Sequence, residues 1–113
     1  MSQTPASTVS IVLTTLGADA DAAAIARTLI DERLAACVNI LAPCRSIFRW
    51  KGEVQHDEEH PMLIKTTFER YPELEAEIRA QHPYELPEIV AVPIERGLPG
   101  YLAWVADETS PAP

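Results

Sequence analysis

The stretch Val9-Ser10-Ile11-Val12-Leu13-Thr14-Thr15-Leu16, closed by Gly17, decides the fold. Its β-branched content and its stop at a glycine make it a strand. Successive strand residues point to opposite faces, so Val9, Ile11 and Leu13 share one face while Val12 and Leu16 share the other. Both faces are apolar. Met62, Leu63 and Ile64 are apolar in a row, and Ile89 and Ala91 oppose Val90, Val92 and Ile94. An antiparallel sheet with one solvated face alternates apolar with polar residues; these strands do not.

Working outward from that strand, Asp19 or Asp21 can cap a helix in which Ala22, Ile25, Ala26, Leu29 and Ile30 recur at helical spacing, with Leu34 four further on. Arg27 and Arg33 lie towards its end, where the helix dipole favours cations. Residues 36–50 read as extended chain interrupted by Pro43, and Lys51-Gly52 supplies the turn of a long hairpin. The acidic patch Asp57-Glu58-Glu59 with Pro61 marks a bulge or an edge in the returning strand, which continues through Met62 to Thr67. Tyr71-Pro72 opens a second helix, with Glu75 and Arg79 spaced for an ion pair, and His82-Pro83 ends it. Glu88 to Ile94 is a further strand, and a short helix runs from Tyr101 to about Asp107. The order is β-α-β-β-α-β plus a small C-terminal helix. It predicts an α+β, ferredoxin-like domain over 9–107: a four-stranded antiparallel sheet with two helices on one face, between flexible tails at 1–8 and 108–113.

Two helices cover one face of such a sheet. The other, left bare, would be an apolar patch larger than soluble monomers usually carry. Burying each such side chain is worth roughly 1.5–3 kcal/mol, so the pattern predicts association through sheet faces.

Composition narrows the partners. The chain has 113 residues and a formal charge of −8. An acidic surface repels phosphate backbones, which argues against a nucleic-acid partner, and it concentrates cations without selecting among them. The N-terminus has no basic start and no apolar run, so no signal peptide is expected. No stretch approaches the ~20 apolar residues of a membrane span. The expectation is a cytoplasmic protein with no membrane partner. Cys37 and Cys44, seven apart in extended chain, point to opposite faces, so no disulfide between them is expected.

Five separated segments then resemble one family. They are Glu32-Arg33-Leu34-Ala35-Ala36-Cys37-Val38-Asn39-Ile40, Ser46-Ile47-Phe48-Arg49-Trp50-Lys51-Gly52, Leu63-Ile64-Lys65-Thr66-Thr67, His82-Pro83-Tyr84-Glu85-Leu86-Pro87-Glu88-Ile89 and Gly97-Leu98-Pro99-Gly100-Tyr101-Leu102-Ala103-Trp104. Together they look like the CutA, or divalent-cation-tolerance, family from about Val9 to Val105. The resemblance implies a homotrimer of ferredoxin-like subunits with strand edges joined between copies, related in architecture to the PII signalling proteins. It implies a role in divalent-metal tolerance with weak binding of Cu(II) or a similar cation. Alternatives are a PII-like sensor of a small ligand in the cleft between subunits, and a trimeric scaffold that anchors a protein partner. No enzymatic reaction comes with the resemblance, and no catalytic residues are assigned.

The candidate site residues carry two readings each. His82, at a helix end, can present a ring nitrogen to Cu or Zn, or serve as a structural cap. Copper-binding members of the family resemble this chain at His82, often with a doubled histidine and a first-strand cysteine; here Gln81 precedes it, and Thr14 and Thr15 stand where the thiol would lie. Trp50, Lys65, His82, Tyr84 and Glu88 belong to the recognised motifs and are the candidates for an intersubunit ligand cleft, or for a packed interface. Cys37 reads as a packed small hydrophobe or as a metal or redox thiol. In His56-Asp57-Glu58-Glu59-His60 an aspartate stands where the helical zinc-protease motif needs glutamate, and Pro61 argues against a helix.

Overall fold

The computed structural model describes residues 8–111. In chain order it has β1 (Val9–Gly17), α1 (Ala22–Asp31), β2 (Cys37–Ile40), β3 (Cys44–Trp50), β4 (Glu53–Thr67), α2 (Tyr71–Gln81), β5 (Ile89–Pro93) and α3 (Pro99–Glu108). The α+β class, the antiparallel sheet and the C-terminal helix agree with the sequence reading. The strand count differs: the stretch expected to be one interrupted strand over 36–50 is two, and the sheet has five.

The division follows from β4, which at 15 residues is long enough to serve two partners in turn on one edge. β1 runs antiparallel along its second half, from Val9 opposite Thr67 to Gly17 opposite Glu59, in unbroken register. On the other edge β2 pairs with residues 62–65 and β3 with residues 53–59. Ile40 faces Met62 and Cys44 faces Glu59, so residues 41–43 lie opposite only residues 60 and 61. The extra residue sits there, beside Pro43, and not in β4 as the acidic patch had suggested. Pro61 carries no amide hydrogen, and its carbonyl accepts from Leu41 N (2.9 Å). A strand residue's N–H and C=O point the same way, so the missing donor falls at the break between β2 and β3 and costs β1 nothing.

The path through the sheet is β2-β4-β1-β5, with β3 beside β4. Val12, Leu16, Met62 and Ile64 point to one face, where Ala22, Ile25 and Leu29 of α1 and Leu74 and Ile78 of α2 cover them. The Asp21 carboxylate accepts from Ala24 N (3.0 Å) and starts α1, a cap worth about 1 kcal/mol. Arg33 lies past the end of α1 with φ 59°, and its guanidinium donates to the carbonyls of Asp107 (3.0 Å) and Ser110 (2.7 Å), tying down the end of α3. Glu75 accepts from the Tyr71 hydroxyl (2.8 Å) in place of the expected pair with Arg79. Both cysteines are free.

The opposite face is mostly bare. Cross-strand pairing places Val90, Leu13, Leu63 and Asn39 in one row and Val92, Ile11, Lys65 and Cys37 in the next. Val90 and Val92 are 46% and 48% exposed. α3 covers only one end, where Leu102 and Val105 bury Val9. α3 runs to Glu108 and Thr109 is buried, so the ordered chain extends past the expected boundary at 107. The expected N-terminal tail lies, apart from Thr8, outside the described residues.

Lys51 (φ 52°) and Gly52 (φ 83°) both adopt the left-handed region, which is the two-residue turn whose twist matches a hairpin. The β3–β4 arm they close extends beyond the sheet. The molecule measures 53 × 27 × 23 Å with a radius of gyration of 15.0 Å, against about 13 Å for a compact domain of this length.

Thr14 faces the helix-covered side, and its buried hydroxyl has no hydrogen-bond partner. Thr14→Val keeps the shape and removes the unsatisfied group, so it should raise unfolding stability by about 1 kcal/mol. Leu29→Ala at a fully buried position should cost about 3 kcal/mol. Urea unfolding of both variants checks the assignment of this face; a Thr14→Val that destabilises would contradict it.

Candidate functional site

Where β5 stops at Ile89, opposite Thr14, β1 continues alone. Odd-numbered residues of β1 aim their carbonyls at the β5 side, as the bond from Ile94 N to Val9 O shows. Thr15 therefore has a carbonyl with no strand to meet, and His82 fills the gap: its Nε2 donates to Thr15 O at 2.7 Å. The other ring nitrogen, Nδ1, accepts from Tyr84 N at 3.2 Å. A neutral ring with its proton on Nε2 satisfies both partners. His82 is buried, and a metal on either nitrogen would have to displace one of these bonds. The ring is thus engaged by a strand carbonyl and a loop amide, not by the end of α2 as the structural reading had it.

That anchored histidine fixes the loop that follows. Its ring lies 4.7 Å from the ring of Tyr84, and the Tyr84 hydroxyl donates to Glu59 Oε2 at 2.9 Å. Glu59 sits opposite Gly17 in the β1–β4 register. A Cβ at Gly17 would touch the Tyr84 hydroxyl at an ordinary 3.5 Å and approach Asp19 Oδ1 more tightly, at 3.3 Å. Glu59, only 6% exposed, is a buried carboxylate.

Between this loop and the β3–β4 arm lies a cavity of about 550 Å³. Ser46, Phe48 and Trp50 pair with Asp57, Gln55 and Glu53 and so share one face of the arm. The cavity takes its aromatic wall from Phe48, Trp50 and Tyr84 and its charge from Asp57, Glu59 and Glu88. Three of the five expected cleft residues, Trp50, Tyr84 and Glu88, thus meet in one place, with His82 behind Tyr84. Lys65 does not join them within the chain. It lies six residues along β4 from Glu59, roughly 20 Å away, and its ammonium donates to Asn39 Oδ1 on the open sheet face. No group of three or more His, Cys, Asp or Glu side chains among the described residues is arranged to hold a metal ion. Of the histidines in the zinc-protease-like stretch, His60 Nδ1 lies 3.0 Å from Leu41 O and His56 is exposed on β4.

Glu59 was missed as a site residue because it stood in an acidic run that looked solvated. The available signal was Gly17: a strand carried without a break from residue 53 to 67 puts Glu59 across from a residue with no side chain.

Burial first, then the hydrogen bond to Glu59 and the charges of Glu59, Asp57 and Asp19, push the Tyr84 phenol from 10.0 up to about 12. The folded chain holds this proton longer than the unfolded chain does. The associated stability is complete below pH 10.0 and is lost as the pH rises through about 12. Phenolate absorbance should show Tyr84 ionising near pH 12. Glu59→Gln should lower that midpoint while leaving Tyr71, which burial and Glu75 raise to about 12, in place. An unchanged midpoint in Glu59→Gln would mean the carboxylate does not act on the phenol.

Comparison with known proteins places this architecture. Residues 10–108 match the family of the CutA1 divalent ion tolerance protein. The chain is 48% identical to the divalent-cation tolerance protein CutA of Thermus thermophilus over 99 residues, covering 88% of this chain and 96% of that protein. It is 46% identical over 85 residues to protein CutA of Mus musculus, covering 75% of this chain and 48% of that longer one. Its fold superimposes on the solved Thermus thermophilus protein with a TM-score of 0.87 at 46% identity, over 90% of this chain and 99% of the other. For CutA from Xylella fastidiosa the TM-score is 0.88 at 38% identity, over 92% and 100%. The chain belongs to the CutA1 divalent ion tolerance family.

Proposed function

We propose that the protein serves divalent-cation tolerance as a homotrimer in which neighbouring copies cover the open sheet face. The observation that carries the association is that face itself: Leu13, Leu63, Val90, Ile11 and Val92 in adjoining rows, with only one end under α3. Exposed Ile47 (63%) and Val54 (56%) on the arm add apolar surface that a neighbour would bury. The edges of β2, β3 and β5 have no further strand beside them in the described chain, and such edges template pairing with another copy. The number three comes from the family resemblance.

Within this reading, Cu(II) or a similar ion binds weakly. The net charge of −8 concentrates cations at the surface, and His56, Asp57 and Glu58 are exposed on the arm. A second reading, a sensor of a small ligand, is supported by the cavity between the arm and the loop after α2. Its size falls in the range of small-molecule sites, about 300–1,000 Å³.

Sedimentation should give about three times the 12.5 kDa chain mass. Leu63→Glu, which puts a charge on the open face, should shift the protein to smaller species; a single-chain mass for the unaltered protein would end the proposal. In calorimetric titration with Cu(II), His82→Ala should leave the metal affinity within about two-fold, because the ring is already engaged at both nitrogens. The same change should cost about 1–3 kcal/mol of stability through the unpaired Thr15 carbonyl and Tyr84 amide. Loss of copper binding with unchanged stability would instead make His82 a metal ligand.

A further inference from the structure

α1 ends in a way that asks for glycine. The amide of Arg33 donates to Ile30 O (3.0 Å) and the amide of Leu34 to Leu29 O (2.9 Å), the paired closing bonds of a helix whose next residue turns into the left-handed region. Buried Leu29 and Leu34 supply the apolar contact that accompanies this ending. The turning residue is usually glycine, because a Cβ there crowds the following carbonyl oxygen. Here it is Arg33, at φ 59°. A strained residue persists only where its surroundings hold it, and such residues often mark a working position.

What the side chain reaches accounts for the choice. α3 ends on Asp107 and Glu108, with no basic residue in its last turn, so the negative end of its dipole lacks a cation of its own. The Arg33 guanidinium supplies one, donating through Nε to Ser110 O (2.7 Å) and through Nη2 to Asp107 O (3.0 Å). Behind it, Arg70 donates to the carbonyls of Arg33 (3.3 Å) and Glu32 (3.4 Å), which steadies the peptide from which the Arg33 side chain extends.

α3 needs such a hold. Of its 10 residues only Leu102 and Val105 are buried, and they pack with Val9 in a cluster separate from the main core. Its first turn has no side-chain cap, and Leu98, Tyr101 and Trp104 are exposed. An element with few buried contacts opens at lower free energy than the core it lies on.

We propose that Arg33 is a latch: it keeps a strained backbone so that its guanidinium holds α3 closed over the Val9 end of the sheet, and α3 opens as a unit when the guanidinium is lost. α3 is a strap fastened from the end of α1, and its own packing is not enough to keep it down.

Native-state hydrogen exchange on the full chain, at one protein concentration, tests this with Arg33→Gly and Arg33→Ala. Arg33→Gly removes the guanidinium and relieves the backbone. Amides of residues 103–108 should then exchange at least about ten-fold faster, while those of α1, β1 and β4 keep their protection. Arg33→Ala should speed the same amides by a similar factor but leave the backbone strained, so its urea midpoint should lie below that of Arg33→Gly. Unchanged exchange in α3 would show that the helix is held without Arg33. Equal acceleration across α1, β1, β4 and α3 would show that α3 opens only with the whole fold. Either result overturns the latch, and a midpoint for Arg33→Gly below that of Arg33→Ala overturns the strain it is built on.

Discussion

A sheet that is apolar on both faces has to be covered on both. In this chain the helices α1 and α2 take one face, and α3 reaches only the end of the other, over Val9. The rows through Leu13 and Ile11 stay open along the middle. Each buried aliphatic side chain is worth roughly 1.5–3 kcal/mol, while a folded domain keeps only about 5–15 kcal/mol in total. Burial of that open face would therefore be comparable to the whole stability of the chain, and this is the physical support for the proposed association.

The long strand β4 carries the rest. It holds β1 on one edge, and on the other it holds β2 and then β3, with the step in register placed at residues 41–43. Because the step is absorbed there, β4 stays continuous and extends past the sheet as one side of the arm. The turn at Lys51-Gly52 closes the arm, and the hydrogen bond from His82 to Thr15 fixes the loop facing it. The cavity is the gap between these two rigid pieces. Its acidic lining is a consequence of register: Asp57 and Glu59 alternate on the same face of β4 as Leu63 and Lys65.

Much of this was legible in the residues. Strand and helix positions followed from periodicity and from glycine and proline punctuation, and the two-faced pattern of β1 announced the open apolar sheet face. Trp50, Tyr84 and Glu88, grouped through their motifs, line one cavity. What escaped has a common physical cause, which is that cross-strand register is not written locally. Asp57-Glu58-Glu59 looked like a solvated edge, yet the pairing with Gly17 buries Glu59. Pro43 announced an interruption but not that β2 and β3 would share one partner. His82 carried both a metal and a structural reading, and its actual partner could not be named because the carbonyl it satisfies lies 67 residues earlier. Lys65 carried a family motif but sits on the sheet face, apart from the cavity.

Concentration dependence of unfolding tests the central claim most directly. If copies cover each other's open sheet face, folding and association are coupled, and the denaturant midpoint rises with protein concentration. The midpoint should therefore climb steadily across about a thousand-fold range of concentration, with the dilute end losing assembly and structure together. A midpoint that stays constant over that range, in a sample that remains folded as single chains, would contradict it.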